Sequence, residues 1–215
     1  MNVQRYDTSD VRRRVKQAAG RLFAERGLKE VTVREIALAA GQKNLGVVAY
    51  YFSTKEALIR EILIDGAMLI EARRLAHLEV MEAAGGPATV LEVVEAIVLP
   101  CVDLVAYDEA GATFFNRFLL QLSLGAEGLI DTTLEGRLNT GYQRCLQHLR
   151  GLMPDMPLAA KNRRFVFLAA YVGSLLAQRE AMMADAGRSH DTWRSSATLA
   201  DIVRTASALI EAPPA

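Results

Sequence analysis

The sequence predicts an all-α fold, with a short N-terminal three-helix arrangement followed by a longer helical region. Apolar residues recur at helical spacing along almost the whole chain. No run alternates apolar and polar residues as a half-buried strand would. Capping residues and glycines divide the pattern into helix-sized lengths.

The chain has 215 residues, 51% of them hydrophobic, and only 6 prolines. That is enough apolar material for one or two domains with a sizeable core, and it excludes a disordered chain. Charges such as Glu92, Glu95 and Asp103 break the apolar runs well short of membrane-spanning length, so no membrane partner is expected. The N-terminal MNVQRYDTSD has no apolar signal core, and a cytoplasmic location is the expectation. Cys101 and Cys145 are far apart in apolar surroundings and read as reduced core thiols. Net charge is zero but uneven: residues 1–55 hold 11 Lys/Arg against 5 Asp/Glu, the remainder 14 against 20. A basic head on an acidic body suits a protein that presents one end to a polyanion.

The first helix should start near Thr8 or Ser9. Val11, Val15, Ala18, Ala19, Leu22 and Phe23 form its inner face, and Gly27 stops it. Arg12, Arg13, Arg14 and Lys16 lie early on its outer side, where basic residues oppose the macrodipole. Either a functional demand or plain solvation accounts for them. The second helix opens on a capping box, Thr32 with Glu35, beside a hydrophobic staple of Val31 on Ile36, and ends at Gly41. The turn from Gln42 to Leu45 leads into Gly46–Phe52, a run too short to be stable alone and therefore held by packing. Val48 and Phe52 are expected inward, with Val47, Tyr50 and Tyr51 more exposed. A second capping box, Ser53 with Glu56, starts a helix running to about Glu82. Lys55 in its first turn has the wrong sign for the dipole, although a phosphate there would meet amides and ammonium together. Beyond Gly85-Gly86-Pro87, helices are expected near 89–106 (kinked at Pro100), 109–124, 128–151, 157–186 and 194–211.

Three ordered groups are specific: Leu22-Phe23 before Glu25-Arg26-Gly27; the start Thr32-x-Arg34-Glu35-Ile36-Ala37; and Tyr51-Phe52-Ser53-x-Lys55-Glu56-Ala57-Leu58. Through VRRRVKQAAGRLFAERGLKEVTVREIALAAG and YYFSTKEALIREIL, residues 10–63 resemble the N-terminal DNA-binding domain of the TetR family of bacterial transcriptional regulators. The sequence departs from the commonest pattern between Gly41 and Tyr51-Phe52, which has one residue more than the usual spacing. The resemblance implies a helix-turn-helix DNA-binding domain over 1–55, with a connecting helix from about 53, and a helical effector-binding and dimerisation domain over 56–215. It implies a homodimer on a pseudo-palindromic double-stranded DNA operator, acting as a repressor released by a small-molecule effector. A helical ligand-binding or scaffold dimer that has lost sequence-specific DNA reading is the alternative, motivated by the altered turn.

From the resemblance, Thr32 and Arg34 would contact phosphates and bases, and Lys43 and Asn44 would lie nearest the groove. Gly46 would permit close backbone approach and Val47 would pack on a thymine methyl. Tyr50 and Tyr51 would place hydroxyls on phosphates, and Lys55 would anchor the flanking strand. In the body, Asn116, Arg117 and Gln121 lie among Phe114, Phe115 and Phe118, and Arg117 and Gln121 can share a helix face. Phe114, Arg117, Phe118 and Gln121 are the candidate effector-pocket residues, with Arg117 as a surface charge the competing reading. Ala170, Gly173, Ser174 and Ala177 form a small-residue surface, and Ile202, Val203, Ala206 and Leu209 an apolar stripe. Both are candidate dimer surfaces, on the pattern and on the family's placement, with intramolecular packing the competing reading. His77, His148 and His190 form no ligand spacing, and neither a metal nor another cofactor is expected. No Ser/His/Asp order, phosphate loop or Cys/His cluster points to an enzyme.

Overall fold

The computed structural model describes residues 8–104, 113–126, 128–134, 136–185 and 187–214. Among these residues every regular element is helical. The order is α1 (Thr8–Arg26), α2 (Val33–Ala39), α3 (Val47–Phe52), α4 (Lys55–Ala83), α5 (Val90–Val98), α6 (Phe115–Gly125), α7 (Leu129–Leu134), α8 (Thr140–Leu152), α9 (Leu158–Ala184), α10 (Asp191–Arg194) and α11 (Ser196–Glu211). No described helix is long and apolar enough to cross a membrane.

Local signals set most helix ends. Gly27 and Gly41 take φ of 85° and 68°, a region that favours glycine, and stop α1 and the α2 segment. The start of α4 differs from expectation. Ser53 is held at φ 65°, and Thr54 instead caps the helix by accepting from the Ala57 amide at 3.0 Å. This leaves Glu56 one position too early for a capping box, and it pairs with Arg60 one turn on. Further along, Pro100 converts the end of the fifth helix into a 3-10 turn, Leu99–Cys101. The helix expected over 109–124 begins at Phe115, and residues 109–112 lie outside the described residues. The one expected over 128–151 is two, α7 and α8, with Gly136 at φ 69° between them.

The chain forms two compact units, Met1–Gly66 with Val105–Thr133, and Ala67–Leu104 with Leu134–Ala215. This division differs from a boundary at residue 55, because α6 packs on α1. In the first unit Phe23, Phe115 and Phe118 are fully buried, with the Phe23 and Phe118 rings 6.2 Å apart. Two glycines admit the α6 aromatics: a Cβ on Gly20 would lie 2.1 Å from the Phe114 ring, and one on Gly66 2.1 Å from the Phe115 ring. Ile36, Val48, Phe52, Leu58 and Ile62 complete that core.

In the second unit α5, α8, α9 and α11 share one apolar core, including Val94, Leu149, Leu168, Ala206 and Ile210. Its buried charged side chains include Glu71 and Arg74 of α4, each 6% exposed. Glu71 accepts from the Gly141 amide at 2.8 Å, at the start of α8. Arg74 donates to the carbonyls of Ala96 and Ile97, both at 3.2 Å, at the end of α5. Each charge therefore closes a helix end of matching polarity. Cys145 is buried and Cys101 half-buried, both as free thiols; burial pushes the Cys145 thiol up to about 11 and raises Cys101 as well.

Candidate nucleic-acid interface

The second helix is built as its sequence predicts. The Glu35 amide donates to the Thr32 hydroxyl at 3.3 Å, and the Thr32 amide donates to the Glu35 carboxylate at 2.8 Å. Val31 and Ile36 are both fully buried beside this start, as a staple requires. The Thr32 amide and hydroxyl, with Arg26 at 2.8 Å, hold the Glu35 carboxyl at about 2, below its ordinary 4.5. The capping box thus occupies Glu35 and leaves Arg34 outward. Arg34 is exposed and makes no hydrogen bond or ion pair with the described residues.

In the turn, Lys43 and Asn44 are exposed. The Asn44 side-chain oxygen accepts from the Gly46 amide at 2.9 Å, an Asx turn that leads into α3. Gly46 has φ −80°, so it is not needed for a left-handed backbone; a Cβ there would lie 3.2 Å from the Asn44 oxygen. On α3, Tyr50 is 79% exposed and meets the half-buried Tyr51 edge-on, with ring centroids 4.8 Å apart.

Two expectations are corrected. Val47 is only 5% exposed. It packs inward with Val48 and Phe52 because a helix of six residues has little buried surface to spare, so it presents no methyl to a thymine. Lys55 does not project outward either. Its ammonium donates to the Val31 carbonyl at 2.6 Å and lies 5.9 Å from the centre of the Phe23 ring. The basic run on α1 is likewise spent internally: Arg13 and Arg14 pair with Asp10, Lys16 with Glu61 and Asp65, and Arg12 with Glu61.

The outward face of this region therefore carries Thr32, Arg34, Lys43, Asn44 and Tyr50. Sequence reading missed Leu38, 59% exposed on α2. Its place four residues after Arg34, on the same helix face, was the available signal.

The candidate pocket residues occupy the first unit's core. Phe114 and Phe118 are buried, and Arg117 and Gln121 are half-buried on the same helix. The Arg117 guanidinium donates to the Thr113 carbonyl at 3.3 Å, one turn back. The dimer candidates divide. Ile202, Val203 and Ala206 are buried in the second unit's core and Leu209 is half-buried, because α11 packs on α5 and α9. On α9, Ala177 is buried and Gly173 half-buried, whereas Ala170 and Ser174 are exposed beside Val166 and Phe167, which are 65% and 54% exposed.

Helices α2 and α3, joined by a capped turn and carrying an exposed polar face, define a helix-turn-helix. Residues 17–62 match the family model described as bacterial regulatory proteins, tetR family. This N-terminal segment is similar to that family, and the match does not extend over the rest of the chain. The HTH-type transcriptional repressor KstR2 of Mycolicibacterium smegmatis is 45% identical over 49 residues, spanning 23% of this chain and 23% of that protein. The chain thus matches less than a quarter of that relative's length. Among solved structures, the TetR family transcriptional regulator PfmR from Thermus thermophilus has a TM-score of 0.50 and 17% identity, over 94% of this chain and 100% of that one. This likeness concerns the fold. A TetR-family regulator from Streptomyces coelicolor A3 has a TM-score of 0.41 and 18% identity, over 97% of this chain and 99% of that one.

Proposed function

We propose that the chain is a transcriptional repressor that binds a pseudo-palindromic DNA operator as a homodimer and is released by a small-molecule effector. The observation that carries this reading is the outward face of α2 and α3. Thr32 and Arg34 stand at the α2 N-terminus, where phosphate is favoured by the dipole, and Lys43, Asn44 and Tyr50 stand beside them. Gly46 lets the turn run close to the groove, and Tyr51 supports Tyr50 from behind. The relative KstR2 of Mycolicibacterium smegmatis is a transcriptional repressor.

Dimerisation is assigned to the outward face of α9. Ala170 and Ser174 let a second helix approach closely, and Val166 and Phe167 supply apolar area that a monomer would leave in water. Two such heads would read half-sites about one helical turn, or a multiple, apart. On the Phe114–Gln121 face the rings of Phe114 and Phe118 are packed, and the half-buried Arg117 and Gln121 are its candidate effector contacts.

A mobility-shift titration of the full chain against the DNA upstream of its own gene, repeated across salt concentrations, tests the reading. A discrete complex that outlasts competitor DNA and weakens steeply with salt is expected. Binding no tighter than to unrelated DNA would instead favour a helical dimer without sequence-specific reading.

A further inference from the structure

Two cations in the first unit are committed to backbone carbonyls that flank the helix-turn-helix. The Lys55 ammonium takes the Val31 carbonyl at 2.6 Å. Val31 is fully buried and directly precedes the Thr32 cap, so its carbonyl lies outside the α2 ladder and needs a partner. At the other end, the Arg12 guanidinium takes the Tyr51 carbonyl at 3.0 Å, in the last turn of α3, where carbonyls lack intrahelical partners. Arg12 is held there by the Glu61 carboxylate and lies 4.8 Å over the Phe52 ring. One brace thus comes from α4 to the start of α2 and the other from α1 to the end of α3. Both cations are partly exposed, but each has a carbonyl partner within the protein. Lys55, at the first position of α4, opposes that helix's dipole, and the Val31 carbonyl supplies the compensating partner.

We propose that Lys55 and Arg12 are positioning residues for DNA reading, which hold the two ends of the α2–α3 segment on the α1/α4 frame, rather than residues that contact phosphate. The inference rests on the proposed DNA-binding function. The two roles leave different signatures. A phosphate contact contributes to binding of every sequence and adds about one unit to the slope of log affinity against log salt. A brace sets where Thr32, Arg34 and Tyr50 stand, so its loss falls on the right sequence and spares the wrong one.

The test uses the full chain and two duplexes: one enriched by the wild-type chain from a random-sequence pool, and a scrambled duplex of the same length and composition. Lys55→Met keeps the stem over Phe23 and removes the donor; Arg12→Gln removes the guanidinium. Each should lower the ratio of specific to non-specific affinity about tenfold, the scale of one lost base contact, with an unchanged salt slope. Lys55→Arg should retain most of the ratio. Should Lys55→Met fail to fold, Lys55→Leu, which also removes the donor, is read the same way. Parallel loss of both affinities with a slope lower by about one would overturn the proposal and make the cation a phosphate anchor. A lower melting temperature with an unchanged ratio would overturn it too, leaving a structural role alone. If the wild-type chain enriches no duplex, the DNA-binding reading fails and this inference falls with it.

Discussion

Both units cap helix starts locally, but they differ in how deeply the long-range partners of their helix ends are buried. In the first, α2 and α4 are capped by residues a few positions away in sequence, Thr32 with Glu35 and Thr54 on Ala57, and the Asx turn of Asn44 on Gly46 leads into α3. All are at the surface, and the braces Lys55 and Arg12 are only partly covered. In the second, α5 starts on a local box, Thr89 with Glu92, but its end and the start of α8 are closed from a distance by Arg74 and Glu71. Those two charges are buried, where an unmet polar group is costly. Local caps leave the outer face of a helix free to meet a partner; buried charges lock helices to one another.

The largest expected effect tests whether the first unit, for all its surface capping, still depends on a closed apolar core. Phe118→Ala should destabilise the protein by about 4 kcal/mol, the range for a fully buried aromatic. Denaturant unfolding monitored by circular dichroism measures it. A cost below about 1 kcal/mol would mean that Phe118 faces open space and would revive it as a pocket wall.

Next comes the second unit's buried cation. Arg74→Met keeps most of the apolar stem but strands the Ala96 and Ile97 carbonyls. A loss of about 3 kcal/mol is expected, from two buried acceptors at roughly 1–3 kcal/mol each, less what relaxation recovers. If unfolding shows no loss, water reaches those carbonyls and the contrast between the units disappears.

A third measurement separates core from surface within α3. Val47→Ala should cost about 2 kcal/mol of stability. Tyr50→Ala, at an exposed position, should stay within about 0.5 kcal/mol while weakening DNA binding. The reverse pattern would place Val47 outward after all and return it to the groove.

Legibility in the sequence follows the same division. Thr32, Glu35, Gly27 and Gly41 act over one helical turn, so their pattern contains the whole cause, and α1 and α2 could be placed almost to the residue. The failures needed partners from elsewhere. An apolar stripe such as Ile202, Val203 and Ala206 is the same string whether it meets α5 or a second copy, and only packing decides. Lys55 reads as free because its acceptor, the Val31 carbonyl, belongs to a residue 24 positions away and leaves no side-chain signature. The packing of Phe114 and Phe115 was not legible either, because nothing near them announces Gly20 and Gly66, the two gaps they fill. For the interface, residue type and exposure were legible at Arg34, Lys43 and Tyr50. Val47 was not, since a six-residue helix buries more of its circumference than an amphipathic stripe implies.

The smallest effect isolates one local cap. Thr32→Ala removes the hydroxyl that receives the Glu35 amide and should cost about 1 kcal/mol. The same substitution has a signature in acid. Glu35 is held at about 2 in the folded protein, against an ordinary 4.5, first by the Thr32 amide, then by the Thr32 hydroxyl and Arg26. A depressed carboxyl contributes stability that is fully present above 4.5 and is lost as pH falls toward 2. In wild type, then, the first turn of α2 should loosen across that window, and the Glu35 carboxyl should titrate near its lower end by nuclear magnetic resonance. In Thr32→Ala the midpoint should rise, but only part of the way, because the residue 32 amide and Arg26 remain. A wild-type midpoint near 4.5 would show that the capping box is open in solution.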